Sequence, residues 1–553
     1  MQRRLIECVP NISEGRDRAK IDAIAAVVET VEGVRLLDVD PGKATNRTVI
    51  TFVGEPEAVC EAAFKLVKKA QELIDMRNHS GEHPRFGATD VCPLVPISGV
   101  SMEECAAYAK KLGERVGQEL GVPVYLYEFA SSEEKRRNLA NNRSGEYEGL
   151  PKKLKDPAWK PDFGPAEFTD SVARSGAIAI GARNFLVAYN VNLNTTSTRR
   201  ANAIAFDIRE AGRKVKQADG SEVQVPGKLK SVKGIGWYIE EYGIAQLSLN
   251  LTDISITSVH VAFDEACNCA AARGIRVTGS ELVGLIPKQA LLDAADFYLT
   301  RQQRSLGISE REKIKIAVKS LGLDDLGPFD PQKKVIEYML EDANSERLVR
   351  MDLKRFTEET AGESPAPGGG SVAAYVGALG ASLGTMVANL SAHKRGWDER
   401  WAEFSEWAVK GERLRNELLF LVDEDTRAFD HIMAAMGLPK GSAEEKAARK
   451  AAITEATKGA INTPLRTMQV CVESMALMQA MAAKGLPASV SDAGVGALCA
   501  RAGALGGYLN VRINCAGLDD EAFKTDVLAK AEALKAEAEK LEAEVMAVTL
   551  SKV

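Results

Sequence analysis

No run of apolar residues approaches the roughly 18 that a membrane-spanning helix needs, so the chain is expected to have no membrane partner. The opening segment MQRRLIECVPNISEGRD carries two arginines but lacks an apolar stretch long enough for a signal peptide. Positive charge is not in excess. A net charge of −6 and a pI near 5.7 argue against a general nucleic-acid footprint. Cysteines number nine, an odd count, and they are scattered, with only Cys267 and Cys269 close together. That pattern argues against a disulfide framework and points to reduced thiols in a cytoplasmic protein. What remains is ordinary for a globular chain, 45% hydrophobic and 27% charged, and at 553 residues it is long enough for more than one domain.

Two textures divide the sequence. Up to about residue 325, β-branched runs such as GVRLLDVD (33–40), RTVITFVG (47–54), NFLVAYNVNL (184–193) and AQLSLNLTD (245–253) alternate with amphipathic stretches at 57–75 and 102–120. The region also echoes itself. Residues 5–30 and 186–212 each read strand, polar turn, helix. The stretches GVRLLDVDPGKATNRTVITFVGEPEAVCEAAF and IAQLSLNLTDISITSVHVAFDEACNCAAA each read strand, loop, strand, helix. This predicts an α+β region of two related α/β subdomains with ferredoxin-like strand-helix units, 1–178 and 179–326, with a cleft between them as the natural ligand site. A linker is expected over 327–350, where two prolines precede a polar run. From 351 to 553 alanine dominates, and an all-α helical bundle is expected.

Two of only five histidines, His79 and His83, fall in RNHSGEHPRFGATD (77–90). His79 to His83 spells H-x-x-E-H, an inverted zinc-protease pattern. That motif works only on a helix, and Gly81, Gly87 and Pro84 make this stretch a poor one. No third ligand stands nearby, so no metal site is expected. A loop holding Arg77, Asn78, His79, Glu82, His83, Arg85 and Asp90 is nevertheless too rich in reactive groups for a connector. A second polar loop, DVDPGKATNR (38–47), adds Asp40, Asn46 and Arg47. A histidine beside a carboxylate is a natural proton shuttle.

In the second region PAPGGGSVAAYVGALGASLGTMVANL (365–390) lacks the ending of a phosphate loop. Gly368, Gly369 and Gly370 read instead as a turn that brings backbone close to a ligand at a helix start. The small residues Gly377, Gly380, Ala381 and Gly384 point to close helix packing. In LVDEDTRAFD (421–430), Asp425 shares a helix face with Leu421 and Phe429, so its carboxyl is expected to titrate high and to serve as a general acid. The patch 491–514 offers Asp492, Asn510 and Asn514, the last two one helical turn apart.

ECVPNISEGRD, LLDVDPGKATNRTV, GEHPRFGATDVCP, GVPVYLYE and PDFGPAEF together resemble the formimidoyltransferase domain, and ESPAPGGGSVAAYVGALGASLGTMV with LVDEDTRAF resembles the cyclodeaminase domain. In order, and over nearly the whole length, the chain resembles the bifunctional formimidoyltransferase-cyclodeaminase family. The resemblance implies a folate enzyme of histidine degradation. It would move a formimidoyl group from N-formimidoyl-L-glutamate to N5 of tetrahydrofolate, then close the ring to 5,10-methenyltetrahydrofolate and release ammonia. It implies His83 as acid/base catalyst, Asp40 as the carboxylate near it, and an aspartate of LVDEDTRAF as proton donor for ring closure, for which the helix face favours Asp425 over Asp423. It places PDFGPAEF, with Phe163, Gly164 and Pro165, and the strand from Gly181 at the folate site. FDIRE, with Phe206 and Asp207, is a second candidate, and Arg183, Arg199 or Arg209 are candidates for the tail carboxylates. Polyglutamylated tetrahydrofolate as co-substrate, no metal, and a homo-oligomer with dimeric contacts through the helical domain are further implications. Other readings are a formyl-transferring or methenyltetrahydrofolate-cyclohydrolysing relative, a metal-dependent amidohydrolase and a non-catalytic assembly protein.

Overall fold

The computed structural model describes residues 4–42, 46–81, 84–217, 219–340 and 348–553. Two compact units partition the chain, residues 1–291 with 321–341 and residues 292–320 with 342–553. His83 and Glu82 lie outside the described residues, as does part of the expected linker.

The α/β unit begins with β1 (Leu5–Cys8) and β2 (Asn11–Ile12), followed by α1 (Arg18–Ala26), β3 (Val34–Gly42), β4 (Arg47–Gly54), α2 (Pro56–Leu73) and β5 (Thr89–Ser98). Pro10 stands between β1 and β2, and both pieces run antiparallel to β4 and β5. Next come α3 (Met102–Leu120), β6 (Val124–Glu128) and β7 (Ile178–Ala182). The sheet order is β3-β4-β1/β2-β5-β7-β6, with β5, β7 and β6 parallel. Alternation along the strands sends Ile6, Cys8, Ile50, Phe52, Cys92, Leu94, Ile178 and Ile180 to one face, against Leu66, Val67, Leu112 and Val116 of α2 and α3. Each large side chain so buried contributes roughly 1.5–3 kcal/mol.

The second half repeats the path with β8 (Val187–Leu193), α4 (Thr198–Ile208), β9 (Arg213–Lys216), β10 (Glu222–Val225), β11 (Val232–Ile239), β12 (Ile244–Leu251), α5 (Val259–Ala271) and β13 (Val277–Val283). Its sheet runs β11-β12-β8-β13, antiparallel throughout, and β9 with β10 forms a separate ribbon. Strand order and polarity match β3-β4-β1/β2-β5, so the echo heard in the sequence is a repeated ferredoxin-like topology. Because β7 pairs in the first sheet, that half runs to Ala182, past the expected boundary at 178.

The helical unit is built on α6 (Lys288–Arg301), shared with the first unit at its start, α7 (Glu310–Leu321), α8 (Gly369–Ala392), α9 (Trp401–Met436), α10 (Ala443–Lys484), α11 (Val490–Cys515) and α12 (Glu521–Leu550). The sequence reading kept 292–320 with the second subdomain. Their contacts explain the difference. Ser305 N–H donates to His393 at 3.2 Å, Leu306 N–H to Ser405 Oγ at 3.0 Å, and Asn389 Nδ2 to Gly307 O at 2.7 Å. Helix α8 is long and apolar enough to cross a membrane by length and composition, but it is the central helix of this bundle. Gly377, Gly380 and Gly384 permit the close approach. A side chain at Gly380 would meet the backbone of α11, and one at Gly384 the side chains of Leu477 and Met478 on α10.

Candidate functional sites

Both loops singled out in the sequence meet in the α/β unit. Asn46, in a left-handed conformation (φ 50°), stitches them together. Its side chain accepts from Gly15 N–H at 3.0 Å and donates to Ser80 O at 2.9 Å. Its carbonyl lies 2.9 Å from His79 Nε2, while Arg85 Nε donates to His79 Nδ1 at 3.2 Å. An acceptor Nδ1 makes His79 a neutral ring whose Nε2–H donates to Asn46 O. Burial, with Arg85 beside it, lowers its pKa. Both ring nitrogens are engaged, so this histidine holds the loop together and has none left for a metal.

A cavity of about 1130 Å³ opens between the two sheets. Pro84, the residue after His83, lines it, as do Asn11, Arg47, Tyr127, Glu128, Arg143 and Arg183 from the first half and Ser231, Lys233 and Asp253 from the second. At its wall Asp90 is fully buried. It accepts from Phe86 N–H at 3.0 Å and pairs with Arg143 at 2.6 Å and Arg47 at 3.4 Å. Burial is the main reason that Arg47 titrates as low as about 10, and Arg143 adds repulsion. Three non-glycine residues with positive φ, Glu128 (48°), Glu146 (53°) and Ser231 (52°), line this cavity, and such strain collects where function demands it. Glu7, 4% exposed on β1, points away from the helix-side core formed by its neighbours Ile6 and Cys8. Burial lifts its carboxyl to about 7, with Arg183 pulling it partly back.

In the helical unit the glycine run opens α8. Gly368 occupies the cap position and brings no side chain, and Asp425 of α9 takes over. Its Oδ2 accepts from Ser371 N–H at 2.8 Å and from Ser371 Oγ at 3.2 Å. A side chain at Gly370 would collide with the Asp425 carboxylate, and one at Gly369 would stand 3.5 Å from Asn510 Nδ2. Gly369, Gly370, Ser371, Asp425 and Asn510 are thus one cluster. Burial raises the Asp425 pKa, and the Ser371 bonds oppose that rise. Asp423, by contrast, accepts from Leu348 N–H at 2.8 Å, a fastening of the chain that enters the bundle.

Three family models cover nearly all of the chain. The N-terminal subdomain of the formiminotransferase domain matches residues 5–183, the formiminotransferase domain 188–341, and formiminotransferase-cyclodeaminase 352–533. Formimidoyltransferase-cyclodeaminase from Gallus gallus is 46% identical over 525 residues, covering 95% of this chain and 94% of that one. The chain belongs to the formimidoyltransferase-cyclodeaminase family. Glutamate formimidoyltransferase from Streptococcus pyogenes is 42% identical over 296 residues, 54% of this chain and 93% of its own length. Methenyltetrahydrofolate cyclohydrolase from Methylorubrum extorquens is 44% identical over 184 residues, 33% of this chain and 88% of its own.

The structure of this family member does not gather every expected site residue. Asp40 sits exposed on the outer strand β3, opposite Val49, and does not line the cavity. Phe163 and Gly164 pack under α3 at Gly113 and Gly117, while Val124 N–H donates to Phe163 O at 2.9 Å. This segment, Pro165 included, closes the edge of β6 and lines no part of the cavity. Phe206 stacks with Arg209, and Asp207 pairs with Arg213 and Arg273, all within the second half's own packing. Arg199 and Arg209 do not line the cavity, and Arg183 does. Asp492 lies 18 residues before Asn510 on α11, about 27 Å along the axis, and so belongs to no common site with it. Asn514 Nδ2 donates to Ala460 O at 2.9 Å and joins α11 to α10. Arg143 and Tyr127 on the cavity wall and Ser371 beside Asp425 are not among the expected site residues. The serine directly after a glycine run at a helix start was a legible signal, whereas Arg143 lies in a stretch without motif.

Proposed function

We propose that the chain catalyses both reactions for which its relatives are named. The α/β unit transfers the formimidoyl group from N-formimidoyl-L-glutamate to N5 of tetrahydrofolate, and the helical unit closes the product to 5,10-methenyltetrahydrofolate with loss of ammonia. The observation that carries the first half is the cavity between two like sheets, lined by several arginines and by Pro84, next in the chain to His83. N5 must lose a proton as it attacks the formimidoyl carbon, and the departing glutamate nitrogen must gain one. His83 serves both steps in turn. The charge that develops is an amidinium, so a carboxylate on the cavity wall such as Glu128 suits it better than an oxyanion hole.

In the second reaction N10 attacks the formimidoyl carbon and ammonia leaves with a proton from Asp425. Its burial and its place among the glycine backbone at the start of α8 support that role. The likeness to a methenyltetrahydrofolate cyclohydrolase favours one other reading, in which the same bundle hydrolyses the methenyl ring. Leu379, Met386 and Leu390 on α8 and Leu509 and Ile513 on α11 are exposed apolar residues, and they support a homo-oligomer paired through the bundle. Nine free cysteines suit a reducing, cytoplasmic setting in histidine degradation. A polyglutamate tail would raise the effective concentration of the intermediate at the second site.

The test supplies N-formimidoylglutamate and tetrahydrofolate and follows glutamate, ammonia and 5,10-methenyltetrahydrofolate, with and without a chelator. All three products in both tubes are expected. Absence of glutamate release would refute the transferase reading. In a separate tube supplied with 5,10-methenyltetrahydrofolate alone, its hydrolysis would favour the cyclohydrolase.

A further inference from the structure

Ser371, the third residue of α8, is fully buried, and its hydroxyl has one hydrogen for two acceptors. Oγ lies 2.9 Å from the carbonyl of Val422 and 3.2 Å from Asp425 Oδ2, both on α9. The backbone N–H of Ser371 reaches the same Oδ2 at 2.8 Å. Asp425 Oδ1 accepts no hydrogen bond among the described residues. It is the atom that a side chain at Gly370 would meet first, and Asn510 stands beside the neighbouring Gly369. The two oxygens of this carboxyl are therefore not equivalent. Oδ2 is already committed to donors, so the proton of the acid form belongs on Oδ1. Glu424 and Arg427, the charged neighbours on α9, pair with each other at 2.8 Å. Burial and the Ser371 bonds act on Asp425, and no charged side chain among the described residues joins them.

We propose that Ser371 is a positioning residue for the second reaction, holding Oδ2 so that Asp425 gives up its proton from Oδ1. This rests on the reading of Asp425 as the acid. As ammonia leaves, the Oδ1 proton passes to its nitrogen, which also keeps the electron pair of the breaking C–N bond. A lone pair on the folate nitrogen forms the methenyl double bond, and Asp425 is left a carboxylate. The Ser371 hydrogen, shared until then with Val422 O, turns to Oδ2 and stabilises that charge. The hydroxyl thus makes Asp425 a readier donor than burial alone would leave it.

The experiment compares the full-length wild type with Ser371→Ala, Ser371→Thr and Asp425→Asn, each supplied with 5-formimidoyltetrahydrofolate. Ammonia release gives kcat and KM across pH, and a thermal melt of the helical signal shows that each variant is folded. We expect Ser371→Ala to lose roughly tenfold in kcat with KM little changed. Its upper pH limit for ammonia release should move to higher pH, because the lost bond had lowered the Asp425 pKa. Ser371→Thr, which keeps a hydroxyl, should lose less and shift less. Wild-type kcat in folded Ser371→Ala, or a loss with the pH limit unmoved, as a packing role alone would give, would overturn the proposal. Ammonia release absent from the wild type, or surviving Asp425→Asn, would instead refute the reading beneath it.

Discussion

The candidate sites of the two units are built differently. The α/β unit uses charge: a cavity between two sheets of the same topology, with arginines gathered on a buried aspartate and strained residues at its rim. The helical unit uses backbone: glycines that let α8 begin against α9, and one carboxylate that caps it. The first gathers cations on its cavity wall, and the second buries a carboxyl whose pKa burial raises. The difference teaches that one chain can place side-chain charge around one candidate site and close backbone packing around another.

The largest expected effect breaks the backbone half of that comparison. Gly370→Ala puts a methyl where the Asp425 carboxylate now lies, so Asp425 must leave Ser371. Ammonia release should fall on the order of a hundredfold, while glutamate release stays near wild type, as two progress curves from one incubation would record. Unchanged ammonia release would mean that the capping contact is irrelevant to the chemistry.

Titration sharpens the same point. Burial raises the Asp425 pKa, so the acid form persists above the ordinary carboxylate range. The stability gained from its raised folded pKa is fully present below the unfolded value and is lost as pH rises through the folded one. Ammonia release should decline through that same upper value, and formimidoyl transfer should not follow it. Coincident profiles of the two reactions would count against separate acids.

Glu7 tests the charge half. Its carboxyl is raised from 4.5 to about 7, so its contribution to stability is present below 4.5 and lost as pH climbs through 7. Glu7→Gln removes that loss and should stabilise the α/β unit by up to about 3 kcal/mol above pH 7. Amide exchange in β1, β4 and β5 would slow in the variant at pH 8 and match wild type near pH 4. Equal exchange at both pH values would mean that Glu7 titrates normally. The smallest effect separates packing from function in the bundle. Asn514→Ala loses one hydrogen bond to Ala460, about 1 kcal/mol, and should lower the melting temperature slightly without changing ammonia release.

Periodicity made the skeleton legible. The runs at 47–54 and 102–120 coincide with β4 and α3, and the repeated strand-turn-helix pattern is the repeated sheet topology. The docking of 305–307 onto α8 and α9 was not legible, because it depends on Asn389, His393 and Ser405, far away in sequence. The inward place of Asp425 was readable from its helix face, and the meeting of Arg47 with Asp90 joins the two polar loops. Phe163 seals a sheet edge away from the cavity, a placement that its Phe-Gly string does not distinguish from that of a pocket wall. The placement of Arg143 on the cavity wall left no local pattern, because it depends on carbonyl bonds from Lys153 and on Asp90, both distant in sequence.

The central claim is that each unit carries its own acid/base group, and one pair of variants tests it most directly. His83→Ala and Asp425→Asn are each given N-formimidoylglutamate with tetrahydrofolate, and separately 5-formimidoyltetrahydrofolate, with glutamate and ammonia followed in every tube. A crossed pattern is expected. His83→Ala loses glutamate release but still frees ammonia from the supplied intermediate, and Asp425→Asn does the reverse. Ammonia release that survives Asp425→Asn, or either variant losing both reactions while folded, would contradict it.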